Sequence, residues 1–176
     1  MKNKSESWRF EGDQIAFDPF EWSFKAKGIL ESAKLLIKEF DKSSKTASFE
    51  HMLVLPTAEF LVCLAIELIS KSCYLKHATQ KKDKIYTHSV VELFDQNFFN
   101  ENQLKLMKHA ERFVLWAGRY PTPKWTKEKF KSEYDVKSKI SNGVEHINAQ
   151  DIPNASSRPK LDELIKLYEY IAKHIL

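Results

Sequence analysis

A chain of 176 residues fits one domain and is long enough to bury a substantial core. Hydrophobic residues at 43% and charged residues at 30% exclude global disorder, and four glycines with six prolines are too few for a sandwich of many tight turns. The net charge of +4 is mildly basic, and the longest wholly apolar run, Phe60 to Ile66, falls far short of the roughly 20 residues that cross a bilayer.

The segment 1–17 reads as an irregular arm, followed by a single helical domain over 18–176. Met1 to Arg9 is polar and charged with no apolar stretch after it, which argues against a signal peptide and for a cytoplasmic protein. Asp18-Pro19-Phe20-Glu21 is a helix start, with Asp as N-cap and Pro in the first helical position. That helix runs to about Phe40, with Phe24, Ile29, Leu35, Leu36 and Phe40 as its apolar side, and 41–48 is a polar loop. A second helix starts near Pro56 and ends near His77; between Phe60 and Ile69 it is apolar on nearly every face, which places it centrally. Cys63 and Cys73 fall ten apart on it, so their Cα atoms lie about 15 Å apart, too far for a disulfide. Reduced thiols again suit the cytoplasm.

A lysine-rich loop, 78–86, leads to Thr87, which can cap a short third helix through Phe94. Asn100 and Gln103 open a fourth helix that stops at Gly118, with Pro121 and Pro123 just beyond. A fifth helix covers 126–140, Ser141 to Ser157 is a loop, and a last helix, 158–175, carries Leu161, Leu164, Tyr168 and Ile171 on one side. The expected fold is all-α, an antiparallel up-and-down bundle of about five to six helices.

Glu67 is the one charge inside the apolar run, and Lys71 follows at i+4 on the same face. A buried carboxylate is costly unless paired. The two residues form either a structural ion pair at a helix or subunit interface, or a pocket in which Glu67 positions Lys71 for an anionic ligand. In the turn after Trp116, Arg119 is placed either to clamp a phosphate or carboxylate or to neutralise the helix end. Tyr120 beside it either stacks on a base or packs against the helix. His88 has Glu92 at i+4, but a metal site needs at least about three ligands and nothing nearby supplies the rest, so no metal or cofactor is expected. Glycine-rich phosphate loops, nucleophile elbows and zinc signatures are absent, which argues against most common enzyme classes. Lysines gather at 71–84 and 124–139, interrupted by Asp83, Glu128, Glu133 and Asp135; they suit either phosphate contact or solvated helix ends.

Three pieces stand in order: Ala65-Ile66-Glu67-Leu68 with Lys71 one turn on; Thr87-His88-Ser89-Val90-Val91-Glu92-Leu93 after a lysine-rich loop; and Arg119-Tyr120-Pro121 after a long helix. Together with a closing helix rich in Leu and Tyr, they resemble the HEPN family (higher eukaryotes and prokaryotes nucleotide-binding) across 20–175. The resemblance implies an antiparallel helical bundle, often a homodimer, with its site in a cleft at the subunit interface. Family roles are RNA cleavage in toxin–antitoxin and phage-defence systems, nucleotide binding, and non-catalytic partnership with a nucleotidyltransferase. The family's nucleases place a histidine beyond an arginine with four to six residues between, and none of the four arginines here meets that pattern. Gln14 to Ala16 follow Arg9 at those positions, Ala117 to Arg119 follow Arg112, Lys124 to Thr126 follow Arg119, and Glu163 to Ile165 follow Arg158. The usual ribonuclease motif is missing.

Three functions from different classes fit these features. The first is a non-catalytic module binding a nucleotide or RNA in a basic cleft, with Glu67, Lys71, His88, Arg119 and Tyr120 around the ligand. The second is a ribonuclease with a non-standard site, in which His88 is general acid or base and Arg119 stabilises charge on the phosphate. The third is a protein-partner or scaffold subunit, suggested by the aromatic load of Trp8, Phe10, Phe17, Phe20, Trp22 and Phe24.

Overall fold

The structure, a computed structural model, describes residues 16–43, 49–78, 83–117, 138–141, 144–147, 160–174 and 176. Asp18 caps the first helix as its sequence implies: Oδ1 accepts the backbone N–H of Phe20 at 2.9 Å, and α1 spans Pro19–Ser43. The side of α1 that meets the core is Ala26, Leu30 and Ala33, all buried. Phe24 and Leu35, expected on that side, are instead 68% and 67% exposed. Ala26, Leu30 and Ala33 stand at i, i+4 and i+7 on one helix face, which leaves Phe24 and Leu35 on the opposite one.

Helix α2 spans Phe49–His77, so it starts ahead of Pro56, which lies inside it. A proline there removes one intrahelical hydrogen bond, the one its N–H would give the Met52 carbonyl, but leaves the preceding residues free to continue the spiral. From Ala65 to Cys73 every residue of α2 is buried. This is the central helix: α1, α3 (Glu101–Arg112), α4 (Leu161–His174) and two 3-10 turns all pack on it. Ile66, Ile69 and Ile171 are essentially fully buried, each contributing roughly 1.5–3 kcal/mol of hydrophobic stabilisation.

Ser72 Oγ–H donates to the Pro19 carbonyl at 2.6 Å, so α1 begins beside the last turns of α2 and the two run antiparallel. Cys73 Sγ lies 4.0 Å from the Ile171 carbonyl, and the Lys76 ammonium contacts the Leu176 carbonyl, so α4 ends where α2 ends. Leu164, Leu167, Tyr168 and Ile171 form the buried stripe of α4.

The chain between α2 and α3 differs from expectation. Thr87 to Phe94 is not an α-helix; it holds a 3-10 turn, Val91–Leu93, flanked by two more at Asp83–Tyr86 and Gln96–Phe98. The Thr87 hydroxyl accepts the backbone N–H of Ser89 at 3.0 Å, as a helix cap would, but the chain beyond it continues as a 3-10 turn. Helix α3 opens with the capping box the sequence signals: Asn100 and Gln103 exchange side-chain and backbone hydrogen bonds, both at 2.9 Å. Its far end widens into a π turn, Phe113–Ala117. Four α-helices are thus present among the described residues, against the five to six expected. Of the expected fifth helix, 126–137 lies outside the described residues, and Ser138–Ser141 pairs antiparallel with Val144–Ile147 in a short β-hairpin. Val144–Ile147 reads apolar, polar, polar, apolar, so no period-2 alternation marks it as a strand in the sequence. Among the described residues no helix is long and apolar enough to cross a membrane.

Candidate functional site

Helix α2 carries Glu67 into the middle of the fold, where its side chain is 4% exposed. One oxygen, Oε1, is shared. The Lys71 ammonium, one turn on, donates to it at 2.7 Å, and the His88 imidazole meets it through Nδ1 at 3.1 Å. An ionised carboxylate only accepts, so in this contact Nδ1–H is the donor, and Nε2 is the ring nitrogen that Glu67 does not engage. The other oxygen, Oε2, is buried and has no hydrogen-bond partner among the described residues.

The three residues differ sharply in access to solvent. The Lys71 side chain is 6% exposed and His88 is 42% exposed. The indole of Trp22, from α1, lies over Lys71 with its centroid 5.3 Å from Nζ, so a cation–π contact covers a second side of the ammonium. Trp22 is itself fixed by Nε1–H donating to the Ala16 carbonyl at 2.8 Å. Its ring also borders a cavity of about 530 Å³ along α1, lined among the described residues by Ala16, Phe24, Gly28 and Ile29 with Glu21 and Lys25 at the rim. Lys71 is therefore a buried, neutralised charge, and His88 is the member of the group that a ligand can reach.

His88 sits on the loop between α2 and α3, and that loop is tied to α3 as well. Ser89 Oγ–H donates to Glu111 Oε2 at 3.3 Å. Burial pushes the Glu111 carboxyl above the usual carboxylate range, with Glu92 adding to the rise, while hydrogen bonds from Ser89 and from the backbone amides of Val91 and Val90 hold it back. Lys84, exposed on the same connection, reaches the Glu92 carbonyl at 3.4 Å.

A second carboxylate–imidazole contact lies further along α2, where Glu59 Oε1 meets His109 Nε2 of α3 at 2.8 Å. Cys63 between the two carboxylates is a free, buried thiol whose ionisation burial pushes well up, and Cys73 is raised to about 12 by the same cause. Neither is a reactive nucleophile at neutral pH.

Of the residues the sequence nominates, Glu67, Lys71 and His88 come together, and Arg119 and Tyr120 lie outside the described residues. Glu92 does not join His88; among the described residues no group of three His, Cys, Asp or Glu is arranged to hold a metal. Trp22 and Glu111 belong to the site and carry no local signature, since each reaches it from another helix. Comparison with protein-family models, with curated proteins and with solved structures returns no match to this chain.

Proposed function

We propose that this chain is a non-catalytic, HEPN-like helical module that binds a nucleotide or RNA through a phosphate-facing site centred on His88. Glu67 and Lys71 stand behind the histidine, Arg119 and Tyr120 complete the ligand's surroundings, and the working unit is a homodimer in a toxin–antitoxin or phage-defence setting. The observation that carries this reading is the shared Glu67 oxygen. A buried ion pair on its own adds little net stability, and apolar residues of the same volume would serve a helix as well. Here the pair also holds a half-exposed imidazole through Nδ1, which leaves Nε2 as the nitrogen for a ligand. The exposed Lys84 on the same connection adds positive charge beside it.

A specific feature also favours the catalytic alternative. An imidazole whose Nδ1–H is held by a carboxylate presents Nε2 as a proton acceptor, the arrangement of a general base. In that reading His88 acts on the ribose hydroxyl and Arg119 stabilises the phosphate. The stacked pair Phe20 and Phe24, rings 6.1 Å apart and both about two-thirds exposed, favours the protein-partner alternative.

One experiment separates the three. Labelled single-stranded RNA and ATP are titrated with the purified protein across a salt series, and the RNA is recovered afterwards. Salt-sensitive binding of intact RNA, weakened roughly tenfold or more by H88A and by R119A, supports the non-catalytic module. Affinity unchanged in both variants overturns it. Cleavage that disappears in H88A selects the ribonuclease, and no binding of either ligand leaves the protein partner.

A further inference from the structure

The loop that carries His88 is gripped from two helices at consecutive residues. Glu67 of α2 holds His88 through its imidazole, and Glu111 of α3 holds Ser89 through its hydroxyl. The backbone amides of Val91 and Val90 also act on the Glu111 carboxyl, helping to hold its pKa down. Those amides open the 3-10 turn Val91–Leu93, whose own N-cap, Val90, has no side-chain cap hydrogen bond. Glu111 thus presents a carboxylate from a distant helix to the start of a helical turn, where free N–H groups favour negative charge. Val90 and Val91 are buried, so the backbone just after His88 is fixed by packing as well as by this carboxylate.

We propose that Glu111 is the positioning residue of the site: it pins the Ser89–Val91 backbone to α3, so that the His88 imidazole gives Nδ1–H to Glu67 and turns Nε2 toward the ligand. The consequence for binding rests on His88 being the ligand contact, whereas the imidazole's orientation is measurable with no ligand present. The burial that raises the Glu111 carboxyl is consistent with this role, since the group is kept partly desolvated where it accepts from the Ser89 hydroxyl of this loop.

The test is long-range ¹H–¹⁵N NMR of the imidazoles in the full chain, with His88 assigned by H88Q and thermal unfolding followed in parallel. Wild type shows His88 as the Nδ1–H tautomer. E111A moves it toward the Nε2–H tautomer that free histidine prefers, and weakens RNA and ATP binding roughly tenfold, the scale of one lost hydrogen bond to a charged group. E111Q, whose amide oxygen still accepts from the loop, stays near wild type in tautomer. If E111A lowers the Tm but leaves His88 as Nδ1–H, Glu111 supports the fold and not the imidazole, and the proposal falls. Should E111A fail to fold, S89A decides: a partial tautomer shift supports the proposal and an unchanged tautomer overturns it. Wild-type affinity in H88A would remove the ligand reading, while the tautomer shift in E111A would still stand.

Discussion

Helix α2 offers the same chemical contact twice, and the two copies are built for different ends. Glu59 meets His109 and Glu67 meets His88, eight residues apart on one helix. His109 belongs to a regular helix and its side chain is 17% exposed; His88 belongs to a loop and is 42% exposed. The first imidazole is held on both sides by structure, with the ring of Phe113 tilted against it at 5.6 Å. The second is held on one side and open on the other. Glu67 also answers a buried ammonium, so its charge is committed before the histidine arrives. A carboxylate–imidazole contact between two helices is a brace. The same contact between a helix and a loop is a means of aiming a side chain.

The comparison breaks most severely at Lys71. K71A leaves the Glu67 carboxylate buried without its counter-charge and costs about 3–5 kcal/mol by urea or guanidinium unfolding. The double variant E67Q/K71M, which removes both charges at similar volume, recovers most of that loss; a double as unstable as the single would show that the charge pair itself holds the fold. Next comes the brace. H109A costs about 1–3 kcal/mol, since it removes a hydrogen bond to a buried carboxylate, and leaves RNA and ATP affinity unchanged. H88A does the reverse: stability falls by less than about 1 kcal/mol, as for a contact open to solvent, while affinity falls. Equal stability losses in the two histidine variants would erase the distinction.

The smallest effect is in the pH profile. Because burial raises the Glu111 carboxyl, the folded state takes up its proton more readily than the unfolded chain does. Its contribution to stability is fully present below the unfolded pKa, declines as pH rises through the window between the two values, and is lost above the folded one. E111Q flattens that decline, so its Tm relative to wild type improves as pH rises through and above the ordinary carboxylate range; a constant difference across pH would contradict the raised value.

What the sequence made legible was local. Asp18, and Asn100 with Gln103, declare their helix starts because a cap is satisfied within three residues of itself. Glu67 and Lys71 declare their pairing because i and i+4 share a helix face. The rest of the site is tertiary: His88 lies 21 residues from Glu67, Glu111 22 from Ser89, and Trp22 reaches Lys71 from a separate helix. No spacing rule announces such meetings. Two expectations failed for identifiable reasons. Phe24 belongs to the apolar side expected of α1, but the face that meets the core is Ala26, Leu30 and Ala33. Thr87 has the residue type of a cap and its hydroxyl accepts the Ser89 N–H, but the chain beyond it is held as a 3-10 turn whose Val90 and Val91 are buried.

Pro56 has a consequence for how α2 comes apart. The helix is 29 residues long, about 44 Å, yet the bond that would tie residue 56 back to Met52 is missing. Val54 and Leu55 are half-buried, Pro56 and Thr57 are exposed, and the buried run follows from Ala58. The missing bond makes the span Phe49–Leu55 the easier part of α2 to open. In native-state hydrogen exchange its amides should form a fast class, with those from Val62 to Cys73 protected to the level of global unfolding. One rod in outline, α2 behaves as a short tip hinged on a long anchor.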